Sequence, residues 1–219
     1  MRLAKHPFEF MTAGYLTRIC AEQAHTLAQL LTHLRTCSDD AIRNHTFQVL
    51  EHYHFLREGF SNDWSQWALA ACNEHQLAEQ FAALDIRQYE SVAALRVDLV
   101  GVLERFVQEK PDAANRAAFE PFYFCEAQPI AIPSGQVAHS LEEFCDILRE
   151  LSIHSLHYHF IAARLRPPVQ FFNDFSYWVT TSLDLPELAQ RIDQIDIYTN
   201  TLGGVRTLVL QETKRWLTP

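Results

Sequence analysis

Glycine is scarce: six residues in a chain of 219, none of them arranged as a phosphate-cradling loop or a dinucleotide fingerprint, and no GxSxG elbow is present. The usual signatures of nucleotide-dependent enzymes and of α/β-hydrolases are therefore missing. Positive charge is also in short supply. Eighteen Lys and Arg face 27 Asp and Glu, a net charge of −9, with no local cluster of basic residues to oppose it. Such a chain repels phosphate backbones, so no nucleic-acid partner is expected. No apolar run approaches the roughly 18 residues of a membrane helix, and Met1–Pro7 is not followed by a signal-like apolar segment. These two absences predict a soluble cytoplasmic protein with no membrane partner. The five cysteines form no CxxC pair and their number is odd, which predicts free thiols in a reducing compartment. No HExxH or zinc-ribbon spacing occurs, and neither metal nor cofactor is expected.

What is present is apolar and repetitive. Hydrophobic residues make up 48% of the chain and aromatics 12%, including 15 Phe. Asn62-Asp63-Trp64-Ser65-Gln66-Trp67 returns as Asn173-Asp174-Phe175-Ser176-Tyr177-Trp178, displaced by 173 − 62 = 111 residues. Pro7-Phe8-Glu9-Phe10 returns as Pro121-Phe122-Tyr123-Phe124, displaced by 121 − 7 = 114, and Ala24-His25, Leu34-Arg35 and His45 recur at that same displacement. One register with a single short gap implies a tandem duplication of a unit of about 100 residues with pseudo-twofold symmetry. The boundaries that follow are a first unit over 1–108, a linker over 109–120 and a second unit over 121–219.

Each copy reads as a mostly α fold with short β-strands or hairpins, an α+β class. Phe8 and Phe10, like Phe122 and Phe124, alternate as in a strand. Ala13-Gly14 in one copy, and Pro129, Pro133 and Gly135 in the other, read as interruptions. Thr26 with Gln29, and Ser140 with Glu143, form capping boxes that open a Leu-rich helix. A second helix starts at Ser38 or Ser152, with Ile42, Val49, Leu50, Tyr53 and Leu56 on its buried side, and ends near Gly59 or before Pro167-Pro168. The tryptophan motif opens a third helix. Asn73 and Asp184 read as caps of a fourth that ends near Asp85-Ile86 and Asp196-Ile197, and a last helix starts at Ser91 or Thr201. Gly203-Gly204 falls within the last helix.

The candidate binding residues are His45, Asn62 and Asp63 in the first copy, and His157, His159, Asn173 and Asp174 in the second. A structural account exists for each. Asn is a preferred helix cap, Asp in the first turn opposes the positive helix end, and a helical His can sit at a core edge. The functional account uses the same geometry: an Asn-Asp pair at a helix start, beside a His from the preceding helix, could bind a polar ligand. His52-Tyr53-His54 and His157-Tyr158-His159 suggest metal at first sight. Residues two apart on a helix diverge by about 200°, however, and His45 and His52 would lie roughly 10 Å apart. His154 and His157 could chelate at i,i+3, but their counterparts are Asp40 and Arg43.

Phe-x-Phe, the capped Leu-rich helix, Ser155-Leu156-His157-Tyr158-His159, Asn173-Asp174-Phe175-Ser176-Tyr177-Trp178 and Leu188-Ala189 together resemble a prokaryotic domain family of uncharacterised function. The first copy departs from the pattern with Arg43-Asn44-His45 and with Trp64 in place of Phe175. The resemblance implies a fold and no catalytic residue. The function expected is a non-enzymatic binding or protein-interaction module built from two homologous helical units, with a protein partner or a further copy of itself. The alternative is an uncharacterised enzyme or small-molecule binder with a polar His/Asn/Asp pocket, its ligand unknown.

Overall fold

Two long strands, β1 (Leu3–Ala24) and β2 (Phe122–Ser140), pair antiparallel as a two-stranded sheet, and the other elements among the described residues are helical. The computed structural model describes residues 3–48, 60–165 and 172–217. After β1 come α1 (Leu27–Leu34), α2 (Asp39–Arg43), a π-helical turn over Asn44–Gln48, α3 (Asp63–Ala70), α4 (His75–Ala82), α5 (Val92–Glu109) and α6 (Pro111–Asn115). After β2 come α7 (Leu141–Glu150), α8 (Ile153–Phe160), α9 (Asp174–Leu183), α10 (Pro186–Asp193) and α11 (Leu202–Leu217).

The chain divides into two compact units, and the division runs through both strands. A continuous unit comprises Tyr15–Gln128, and a split unit comprises Met1–Gly14 with Pro129–Pro219. These boundaries differ from 1–108, 109–120 and 121–219. The segment holding Phe8 and Phe10 packs with the helices that follow β2, and the segment holding Phe122 and Phe124 packs with the helices that follow β1. Alternation along a strand says that two Phe face a core, but not which core.

In the split unit, Phe8 meets Phe144, Phe175 and Trp178 at centroid distances of 5.6, 5.5 and 5.5 Å, and Phe10 stacks on Phe144 at 5.6 Å. In the continuous unit, Phe122 stacks on Trp64 at 5.0 Å and meets Trp67 edge-on at 5.7 Å. Burying each such ring stabilises the fold by about 1.5–3 kcal/mol, and well-placed ring pairs add about 0.5–1.5 kcal/mol.

The helix starts follow the chemistry expected of them. Thr26 Oγ1 accepts from the Gln29 amide at 3.1 Å while Gln29 Oε1 accepts from the His25 amide at 2.8 Å. Ser140 and Glu143 repeat this reciprocal arrangement, with Glu143 taking the His139 amide at 2.7 Å. Ser38 and Ser152 cap α2 and α8.

Elsewhere the structure differs from the sequence reading. The strands are long, running through Ala13-Gly14 and through Pro129 and Pro133; in a two-stranded sheet each strand has an outer edge, where a missing N–H costs no ladder bond. Gly135 takes φ of +78° within β2, a conformation costly to any side chain. Asn73 and Asp184 do not start a helix: they take left-handed conformations, φ 57° and 56°, just past α3 and α9, a role Asn and Asp tolerate as well as capping. The fourth helices start later, at His75 and Pro186, and end at Ala82 and Asp193. Pro111–Asn115, read as linker, is helical with Ala114 buried. Gly203 and Gly204 occupy the first turn of α11, where Thr201 Oγ1 accepts from the Gly204 amide at 3.0 Å. Val49, Leu50, His52, Tyr53, His54, Leu56, Gly59, Pro167 and Pro168 lie outside the described residues.

Candidate functional site

In each unit a cleft lies between the tryptophan-bearing helix and a strand edge. In the continuous unit it measures about 590 Å³ and lies between α3 and the chain around Glu120–Cys125. In the split unit it measures about 570 Å³ and lies between α9 and the chain from His6 to Met11. Their linings correspond at the displacements seen in the sequence: Pro121 with Pro7, Phe122 with Phe8, Trp67 with Trp178.

A His–Asp pair sits in each wall. His45 Nδ1 lies 2.7 Å from Asp63 Oδ2, and His159 Nδ1 lies 2.7 Å from Asp174 Oδ2. Asn62 and Asn173 cap α3 and α9 by accepting from the Ser65 and Ser176 amides at 2.9 Å, which places each Asp in the first helical turn, where the free amides favour negative charge. Both imidazoles are buried, at 4% and 3% exposure, whereas the Asp63 and Asp174 side chains keep 27% and 16%.

The second ring nitrogen defines what these histidines can do. The Cys125 amide donates to His45 Nε2 at 2.9 Å, and the Met11 amide donates to His159 Nε2 at 2.8 Å. A nitrogen that accepts an N–H carries no proton of its own, so Nδ1–H donates to the carboxylate and the tautomer is set. Neither nitrogen retains a lone pair for a substrate proton or a metal ion. Trp67 Nε1 donates to the Glu120 carbonyl and Trp178 Nε1 to the His6 carbonyl, each at 2.8 Å. Strand and helix are thus clipped together at two points, an indole on a carbonyl and an imidazole on an amide.

The sequence candidates separate into two groups. His45 with Asp63, and His159 with Asp174, come together and line the clefts. Asn62, Asn173 and His157 are buried and line neither. Asn173 instead joins a polar group the sequence reading did not select: its Nδ2 donates to Asp193 Oδ1 at 3.2 Å, and the 3%-exposed Arg164 pairs with the same carboxylate at 2.7 Å. Neither residue of this pair has a charged counterpart in the other copy, so the repeat register gave no signal for it.

Cys125 is the thiol nearest the His45–Asp63 pair. Burial pushes its pKa up, and the Asp63 carboxylate pushes it further the same way, the opposite of what a nucleophilic thiolate needs. Among the described residues no three His, Cys, Asp or Glu side chains are grouped to hold a metal ion, and no helix is long and apolar enough to cross a membrane.

Comparison with known proteins finds matches that span almost the whole chain. The model of the family of unknown function DUF5752 matches residues 5–213. The solved structure of OrfY from Thermoproteus tenax is 29% identical in sequence, with the match covering 99% of this chain and 98% of that one at a TM-score of 0.86. No curated protein matches the chain.

Proposed function

We propose, for a chain that belongs to the DUF5752 family of unknown function, a non-enzymatic binding module that offers two related clefts. The observation that carries this reading is the occupied Nε2 of His45 and of His159. A general base must present an unshared nitrogen to its substrate, and both imidazoles spend theirs on backbone amides. What remains in each cleft is a fixed surface of rings and carboxylates, suited to holding a partner rather than converting one.

The proposal includes descent from a duplicated unit. It rests on the recurrence of the His–Asp pair, the amide on Nε2 and the indole on a carbonyl, all at displacements of 114 and 111 residues. The rival reading, an enzyme or small-molecule binder, draws on cleft volumes that suit a small ligand.

A thermal-shift screen of peptides and metabolites tests the choice, using wild type beside the rim variants Gln66→Ala and Tyr177→Ala, which leave both His–Asp pairs intact. A compound that raises Tm in wild type, raises it less in a rim variant and is recovered unchanged supports the module. A compound converted to product at either cleft overturns it.

A further inference from the structure

The geometry points to a more specific occupant, and this inference rests on the binding-module reading: each cleft receives an extended, cationic peptide segment that pairs with the strand edge as a third strand.

In an antiparallel pair the N–H and C=O of successive residues point alternately toward the partner strand and away from it. The Cys125 amide points away from β1, since it reaches His45 Nε2. Tyr123, two residues earlier on β2, therefore turns its N–H to the same outer side. Met11 and Glu9 stand in the same relation on β1, where the Met11 amide reaches His159 Nε2. Tyr123 and Glu9 both line the clefts, and among the described residues no third strand takes up that edge. Each cleft thus contains an outward strand amide just before the point where imidazole occupies the next one. An extended peptide carbonyl supplies the acceptor, the mode by which exposed sheet edges bind partner segments.

The charge of the occupant follows from the walls. Asp63 and Glu120 line one cleft, Glu9 and Asp174 the other, and among the described residues neither lining contains Lys or Arg. Glu120 and Glu9 add acidic side chains to these linings, and the chain as a whole has a net charge of −9, so Lys or Arg side chains are favoured over acidic ones. Apolar positions alternating with the basic ones meet Trp67, Ala70 and the half-exposed Tyr123 in the continuous unit.

The test uses the full chain and three fluorescein-labelled, end-blocked peptides read by anisotropy. One alternates Lys and Val, one alternates Glu and Val, and the third is the Lys-Val peptide with alternate backbone nitrogens methylated. The inference expects the first to bind, with affinity falling as salt is added, and the other two to bind at least about tenfold more weakly. The paired variants Glu9→Pro/Tyr123→Pro and Glu9→Ala/Tyr123→Ala remove the same side chains, but only the first removes the outward amides. Proline there should weaken Lys-Val binding about tenfold beyond alanine. If the proline variant does not fold, as judged by circular dichroism, the methylated peptide still decides. Equal binding of the methylated and unmethylated peptides overturns strand pairing and leaves the binding module standing. Preference for the Glu peptide overturns the cationic assignment alone. If no peptide binds while another compound shifts Tm through the rim residues, the inference falls and the module survives. If nothing binds at either cleft, both fall.

Discussion

The cleft of the continuous unit and that of the split unit keep one frame and differ in how the frame is filled. Imidazole, carboxylate and indole occupy matching places at matching distances. Behind them the fillings change in pairs. Where the split unit packs Phe175 against Phe160 at 6.1 Å, the continuous unit has Trp64, whose Nε1 donates to Thr46 Oγ1 at 3.0 Å. A larger ring with a polar edge is accommodated because its neighbour changed from a ring to a hydroxyl. In the cleft walls, Ala70 and Ala71 of the continuous unit answer to Thr181 and Ser182, so one wall is apolar and the other carries hydroxyls. The comparison teaches that strand attachment is the constrained part of each unit, and that the cleft wall is free to specialise.

The severest way to break this comparison is to remove the clip. His45→Ala and His159→Ala each strand a part-buried backbone amide, take one partner from a carboxylate and leave a cavity among packed rings, and each should cost ~3 kcal/mol in chemical denaturation. The two losses should agree within ~1 kcal/mol. A loss confined to one unit would mean that only one pair bears the strand.

A smaller effect sharpens the comparison of fillings. Trp64→Phe leaves the Thr46 hydroxyl without its donor and opens space beside it, at about 1–2 kcal/mol. Adding Thr46→Phe reproduces the pair found in the split unit and should recover about half of that loss. Losses that simply add would show that the two positions do not compensate each other.

The smallest effect is set by pH. Four of the five cysteines, Cys20, Cys37, Cys72 and Cys125, belong to the continuous unit, and burial pushes all four thiols up, Cys72 to about 12. A thiol whose pKa is raised by folding contributes stability that is complete below its unfolded value, near 9, and is lost as pH rises toward the folded one. By pH 10 the Cys72 contribution should fall by about 1 kcal/mol, and Cys72→Ala should flatten that slope. Hydrogen exchange at high pH should loosen the continuous unit before the split unit, which holds Cys145 alone. Equal loosening would contradict this difference.

Much of this was legible beforehand because it is written in side chains. Capping boxes, serine caps and the tryptophan motif announce helix starts by residue type, and His45, Asp63, His159 and Asp174 were selected by recurrence. The partners of those histidines were not legible, because an amide of Met11 or Cys125 has no signature in the residue's identity. Asn73 and Asp184 misled because the residues that best begin a helix also best tolerate the left-handed turn that ends one. The exchange of strands between units left no trace either, since Phe8 and Phe122 are equally suited to either core.

That exchange has a consequence for how the chain comes into being. During synthesis, Phe8 and Phe10 emerge well over a hundred residues ahead of Phe144 and Phe175, the rings that bury them. Every residue of the continuous unit has been made once Gln128 is clear of the ribosome, whereas the partners of the leading segment come only with the later helices. Cut anywhere near its midpoint, the polypeptide would yield two fragments each missing a rib of its own core, and each carrying the rib that the other lacks.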